Sequence, residues 1–301
     1  MYLINNTTSY NEKHISDVLP ITGASPMWFF FFMIQGCVIV IANLTLIVVI
    51  ALSTRLHKIH SSKFLRSFLF SHCVFGSTEI MVAVAYWNKQ FSDKNNSYTT
   101  FLHRYMPILV AWLFTNLLVL TLDRFFYIRF PLHYSQLTEF KIFLIIGMSW
   151  VLPLLLLFIP NTSQTNVNEI IFLSLLMMAF FVLLISNICI YRIARVHQKS
   201  ITKQRKSLNK SDSDETKQLN SKKHFNAVKV CFGMVVTFLI FWTPLFTHGI
   251  TSLCGIRHPT FTIVTVLLAF SNSVVDPILY SILSVDLRSE VRIMLHPFLR
   301  K

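Results

Sequence analysis

The sequence predicts an all-α membrane protein: a seven-transmembrane helix bundle with a short amphipathic cytoplasmic helix after the seventh helix. Three observations predict it. Over half of the 301 residues are apolar, only 13% are charged, and phenylalanine alone occurs 28 times, more than a water-facing surface of this size could absorb. Apolar runs of about 20 residues, the length that crosses a bilayer, recur along the chain, and seven of them can be marked out. The basic residues also gather on one side of these runs. Of the 27 Lys and Arg, 22 lie at or beyond one set of run ends, and only Lys13, Lys89, Lys94, Arg104 and Arg257 lie on the other. This asymmetry predicts an extracellular amino terminus and a cytoplasmic carboxyl terminus. The net charge of +14 thus belongs to the inner membrane face and does not indicate nucleic acid.

The elements follow in chain order. Residues 1–27 form an extracellular segment, and residues 1–26 lack a basic stretch followed by an apolar one, so no cleavable signal peptide is expected. The helix bundle occupies 28–283, with spans at Trp28 to Leu52, Phe64 to Trp87, Tyr105 to Ile128, Phe140 to Ile159, Ile170 to Ala194, Val228 to Leu253 and Phe261 to Leu283. In hydrocarbon each must be helical or part of a closed barrel to satisfy its backbone, and runs this long and this apolar are helices. Asn43 in the first span reads as an interhelical hydrogen bond. In the second span, His72 and Glu79 stand seven apart and share a face, which at that depth points into the bundle. The third span opens with His103 and Arg104 near the outer surface and carries Pro107 within about its first turn, where a missing donor is tolerated. The fourth holds Trp150 and Pro153.

Between the fifth and sixth spans, 198–223 is rich in Lys, Ser, Asn and Asp and reads as a flexible third cytoplasmic loop whose basic face can lie against anionic membrane lipid. The sixth span contains Phe241-Trp242-Thr243-Pro244, whose interior proline predicts a hinge. The seventh carries Asn272, Ser273 and then Asp276-Pro277-Ile278-Leu279-Tyr280. Residues 284–301 form the amphipathic helix and tail, with Leu287, Val291, Met294 or Leu295 and Phe298 on one face, as for a helix lying on the inner leaflet. Asn-x-Ser/Thr glycosylation acceptors at Asn5, Asn6, Asn95 and Asn161 all fall in segments predicted to be extracellular. Of the five cysteines only Cys254 lies clearly outside, which leaves no disulfide framework. No nucleophile triad, glycine-rich phosphate loop or Cys/His metal spacing appears, so neither an enzyme nor a resident cofactor is expected.

Asp123 and Arg124 stand side by side at the inner end of the third span. Charges at such a place cost about 2.5–3.5 kcal/mol even on a lenient insertion scale, so they face water, a partner or a switch. Their company favours the switch. Asp123-Arg124-Phe125 resembles the Asp-Arg-Tyr switch of rhodopsin-like (class A) G-protein-coupled receptors. Phe238, Trp242 and Pro244 are similar to that family's activation toggle, and Asp276-Pro277-x-x-Tyr280 resembles its Asn/Asp-Pro-x-x-Tyr motif. Asn43 and Trp150 occupy the family's marker positions, and Pro131-Leu132 matches its second cytoplasmic loop. The resemblance runs from the first span to the terminal helix. Within the family the melanocortin-like branch is similar through Asn272 to Tyr280, through Ala194-Arg195-Val196-His197 and through the short second external loop.

The resemblance implies a plasma-membrane receptor whose extracellular ligand, of unknown identity, binds within the bundle and which activates a heterotrimeric G protein. Arg124 would act as its lever, held by Asp123 at rest, with Phe125, Leu132 and Tyr280 completing the G-protein switch. Candidate ligand-pocket residues are Glu79, His103, Met106, Val110, Trp242 and His248, with His258 also near the outer rim. Glu79 either meets a basic ligand group or bonds neighbouring helices. Departures limit the ligand: the branch's acids are replaced, by register, by Val82, Thr99 and His103, and the span-three aspartate of amine receptors by Met106. Where the family's second-helix aspartate helps bind sodium stands His72, with Leu113 at the third-helix hydroxyl position, so an internal His72–Asp276 pair is expected in place of the ion. The acid that often restrains the arginine from the sixth helix is replaced by His224, which implies ligand-independent activity. Arrestin recruitment would use the third loop, for example Ser207, Ser211, Ser213 or Thr216. The rivals are a small-solute transporter, which would show internal repeats, and a non-signalling scaffold or decoy receptor, against which the intact Asp123-Arg124 weighs.

Overall fold

Local chemistry sets the helices and their ends. The computed structural model describes residues 27–87, 97–158, 165–207, 212–256 and 259–299, and all regular structure among them is helical. The span helices run Met27–Leu52, His60–Trp87, Ser97–Arg129, Glu139–Val151, Thr165–Ser207, Asp212–Leu253 and Pro259–Leu283. Each contains, or with its continuation contains, a stretch long and apolar enough to cross a membrane. The fourth begins at Thr138, whose side chain caps the Lys141 amide, and passes at Leu152 into a 3-10 helix, Leu152–Phe158, where Pro153 supplies no amide donor. A short helix, Pro131–Ser135, follows the third span, and Val285–Leu299 forms the terminal helix.

The first span packs on the second and seventh, the sixth on the seventh and fifth, and the third touches the second, fourth, fifth and sixth. The third therefore forms the axis of the bundle. Leu113, Phe114 and Leu117 on it meet a core that includes Phe68, Phe75, Phe238 and Trp242, all buried. Outward-facing side chains are apolar as well: Phe140 and Phe143 are 73% and 74% exposed, as lipid-facing residues should be. The first two spans approach closely at Gly36 and Gly76. A Cβ on Gly36 would lie 2.8 Å from Ile80 Cγ1 and 2.9 Å from the Gly76 carbonyl, and one on Gly76 would lie 2.7 Å from Ile39 Cγ2. Small residues let membrane helices gain van der Waals contact where no hydrophobic force operates between them.

Three expectations from sequence are corrected. The third helix starts at Ser97, so Pro107 lies in its interior and not within its first turn. The polar residues before Tyr105 mark the end of the apolar run but contain no helix breaker, so the winding continues past it. The stretch 198–223 is helical over 198–207 and 212–223, extending the fifth and sixth helices, with 208–211 outside the described residues. Its Lys, Gln and Arg are good helix formers, and low hydrophobicity denies a core without denying a helix. The terminal helix, finally, meets protein. Leu287 is buried in the core, and Ser53 Oγ donates to Glu290 Oε2 at 2.9 Å. The Arg55 guanidinium lies 3.6 Å from Asp286 and 3.9 Å from Glu290. Ser284 begins this helix by accepting from the Leu287 amide. The side chains of Met294, Leu295 and Phe298 lie outside the described residues.

Candidate functional site

At the inner end of the third span, Asp123 is buried, and its carboxylate is held from two other elements. Ser61 Oγ, at the start of the second helix, donates to Oδ2 at 2.7 Å. Tyr134 OH, on the short helix beyond Pro131, donates to Oδ1 at 2.6 Å. The turn at Pro131 folds Tyr134 back beneath the third span, where its ring meets Tyr127 edge-on at 4.9 Å. Burial raises the Tyr134 hydroxyl pKa above the usual tyrosine range, and the negative charge of Asp123 raises it further. Arg124 Nε stands 3.9 Å from Asp123 Oδ2, a looser contact than either hydroxyl makes. Phe125 packs on Ile190 of the fifth span, Leu132 is 77% exposed, and Tyr280 packs against the core. Sequence reasoning assigned no role to Ser61 or Tyr134; an alcohol and a phenol near a buried carboxylate leave no periodic trace. The side chain of His224 lies outside the described residues.

Deeper in the bundle, Asp276 is fully buried. Asn272 Nδ2 donates to its Oδ2 at 2.8 Å and Thr237 Oγ1 to its Oδ1 at 3.5 Å. His72 Nε2 approaches Oδ2 to 3.4 Å, so the structure brings the expected pair together. The expected hydrogen bond is not formed: neither ring nitrogen of His72 has a partner in bonding geometry. Phe68 meets the imidazole edge-on at 4.5 Å and 90°, holding its plane. Leu113 at the facing third-span position is buried and offers no oxygen. Asn43 Nδ2 donates to the Ser273 carbonyl at 3.0 Å, tying the first span to the seventh as expected. Trp150 Nε1 donates to Ser67 Oγ, which donates to Asn116 Oδ1, joining the second, third and fourth spans.

Above this layer lies an aromatic stack. Phe238 and Trp242 are stacked at 5.3 Å and 23°, and Phe114 meets them edge-on at 4.5 and 5.6 Å. Phe246 adjoins Trp242 and reaches Phe180 of the fifth span. Pro244, interior to the sixth helix, removes a backbone hydrogen bond just outward of the stack. Pro277 does the same in the seventh beside Asp276. An interior proline is a usual cause of a kink in a helix.

In the outer half, Glu79 is buried, and neither oxygen is hydrogen-bonded among the described residues. Met106 is half-buried and Val110 buried on the third span, and His248 Nε2 is 2.8 Å from Thr262 Oγ1 of the seventh. The side chains of His103 and Arg104 lie outside the described residues, as do His258 and the acceptors Asn5, Asn6, Asn95 and Asn161. Among the described residues no group of His, Cys, Asp and Glu could hold a metal ion.

The sequence matches the family described as 7 transmembrane receptor (rhodopsin family) over residues 42–280. Among solved structures, the crystal structure of squid rhodopsin is similar at 16% identity with a TM-score of 0.73, covering 92% of this chain and 87% of that one. No curated protein matches by sequence.

Proposed function

Since the chain belongs to the rhodopsin family of seven-transmembrane receptors, a family of receptors and not of enzymes, we propose that it binds an extracellular ligand within its helical bundle. Ligand binding would drive nucleotide exchange on a heterotrimeric G protein. The observation that carries the reading is the carboxylate of Asp123, held by Ser61 and Tyr134 beside Arg124 at the cytoplasmic end. A buried, fully engaged acid next to an arginine is a two-position device: the guanidinium either stays by the acid or turns to a partner. Ligand contact at the outer half bears on the Phe238–Trp242 stack, the sixth helix turns about Pro244, and Arg124 leaves Asp123 as a G-protein helix enters. Phe125, Leu132 and Tyr280 line that entry. The positive-inside pattern supports a plasma-membrane protein with its amino terminus outside, and the Asn272 to Tyr280 signature supports kinship with the melanocortin-like branch. Phosphorylation sites in 198–223 would serve arrestin, and its basic residues anionic lipid.

The test is Arg124→Ala, with nucleotide exchange measured on several G proteins in membranes of matched receptor density. Exchange above the receptor-free background should vanish; undiminished exchange overturns the mechanism.

A further inference from the structure

Glu79 is an acid the switch does not use. It sits about 1% exposed on the outer half of the second span, and neither carboxyl oxygen has a hydrogen-bond partner among the described residues. A carboxyl group offers about four lone-pair positions, and one buried in a membrane with all of them unmet is retained only where something arrives to meet them.

The faces of the second span show where it points. Gly76 and Ile80 meet the first span, and Ser67 bonds Asn116 of the third. His72 and Phe75 meet Asp276 and Phe270 of the seventh. Glu79 lies one turn beyond Phe75 and two beyond His72 on that same stripe, so it faces the interior between the second, third and seventh spans. Every described Lys and Arg side chain lies at the opposite, cytoplasmic end, so none of them reaches it. His72 is about 10 Å deeper at 1.5 Å per residue, and His248 is engaged with Thr262. The second and third spans are apolar at this level, with Phe75 and Val82 on one and Met106 and Val110 on the other, while Gln35 of the first span, level with Ile80, is engaged with Leu267 and Ser271 of the seventh.

We propose that Glu79 anchors an amine ligand, whose ammonium donates to the carboxylate while its apolar body lies against Phe75, Val82, Met106 and Val110. This rests on the reading that a ligand enters the bundle, and it names that ligand's class. The acid comes from the second span, which is why the absence of one at Met106 does not exclude an amine. An ammonium supplies three donors to a carboxylate that has none, whereas an alcohol of the same shape supplies one and no charge.

The full-length receptor, purified in detergent, tests this by thermal melting with 2-phenylethylamine and cyclohexylmethylamine, each against its alcohol isostere. Both amines should raise the melting temperature and the alcohols should not. Glu79→Gln should weaken the apparent amine affinity by about tenfold to a hundredfold and leave the melting temperature without amine unchanged. Equal shifts by amine and alcohol, an unaltered amine shift in Glu79→Gln, or no shift by either amine overturns the proposal. Should Glu79→Gln fail to purify, Glu79→Asp, one methylene shorter, must also lose affinity, and unchanged affinity there overturns it equally. A lowered melting temperature of Glu79→Gln without amine, with amine affinity retained, would reassign the acid to an internal partner. The assay contains no G protein, so its failure leaves the coupling reading standing, and an active Arg124→Ala receptor would leave amine binding untouched.

Discussion

Tyr134→Phe removes one hydroxyl and nothing else from the clamp on Asp123, and its effect can be worked from the distances. The phenol donates to Oδ1 at 2.6 Å while Ser61 holds Oδ2 at 2.7 Å. A hydrogen bond to a charged acceptor is worth about 1.5–3 kcal/mol net. Tyr134 is half-buried, so solvent screening favours the lower end, and about 1.4 kcal/mol is a tenfold change in an equilibrium constant. The clamp belongs to the arrangement in which Arg124 stays beside Asp123, so its loss favours the other one. From a resting-to-active ratio of about 99:1, a tenfold shift raises the active population from about 1% to about 10%. The assay is ligand-independent nucleotide exchange per surface receptor, with the melting temperature measured alongside to separate switching from unfolding. Ser61→Ala should act in the same direction, and the double variant should exceed either single one. Exchange in Tyr134→Phe at or below the wild-type level, at equal surface density, would refute the reasoning.

The sign of the pH dependence follows from the same hydroxyl. Burial and the Asp123 charge raise its pKa, so the protonated donor is favoured in the folded protein. Its contribution is fully present below the unfolded value of about 10 and is lost only as pH rises through the higher folded value. The ratio of Tyr134→Phe to wild-type basal exchange should therefore be the same at about pH 6.5 and about pH 8.5, both below that unfolded value; a ratio that changes between them would show that another group carries the clamp.

Two further outcomes are expected. Replacing sodium with choline should leave basal exchange unchanged, because Asn272, Thr237 and His72 already surround the Asp276 carboxylate and Leu113 offers no oxygen; a rise or fall would mean that an ion still binds. Gly36→Leu should destabilise the receptor by about 1–3 kcal/mol, the usual cost of overpacking, since even a Cβ there would meet the Gly76 carbonyl at 2.9 Å; an unchanged melting temperature in detergent would show that the first two spans can separate freely.

The parts of the molecule legible in the sequence are those with a period or a fixed spacing. Membrane spans have both, because hydrocarbon thickness sets their length and backbone satisfaction sets their form. Helix ends beyond the membrane have neither. Ser97 and the 198–223 stretch show this, since nothing in a polar run tells a helix from a loop when Pro and Gly are absent. The proposed switch divides in the same way. Asp123, Arg124, Trp242, Pro244 and Asp276 stand in recognisable order, whereas Ser61 lies 62 residues before the acid it holds. Glu290 meets Ser53 across 237 residues. Pairings of that kind come from helix packing, which a single sequence does not display.

This division bears on how Arg124 is restrained. With histidine at position 224, the sequence supplies no acid from the sixth helix, which by itself implies a receptor poorly held in its resting form. On the proposed reading, restraint would come from the other side of the arginine. Two hydroxyls fix Asp123, and the fixed carboxylate remains beside Arg124. A restraint built this way would act through the second helix and the short helix after Pro131 as well as through the sixth helix. Displacing Tyr134 would loosen Asp123, and Tyr134 is carried by the segment that also exposes Leu132. A G protein that grips Leu132 would therefore pull on the clamp directly, and coupling to the partner would help to open the switch that admits it.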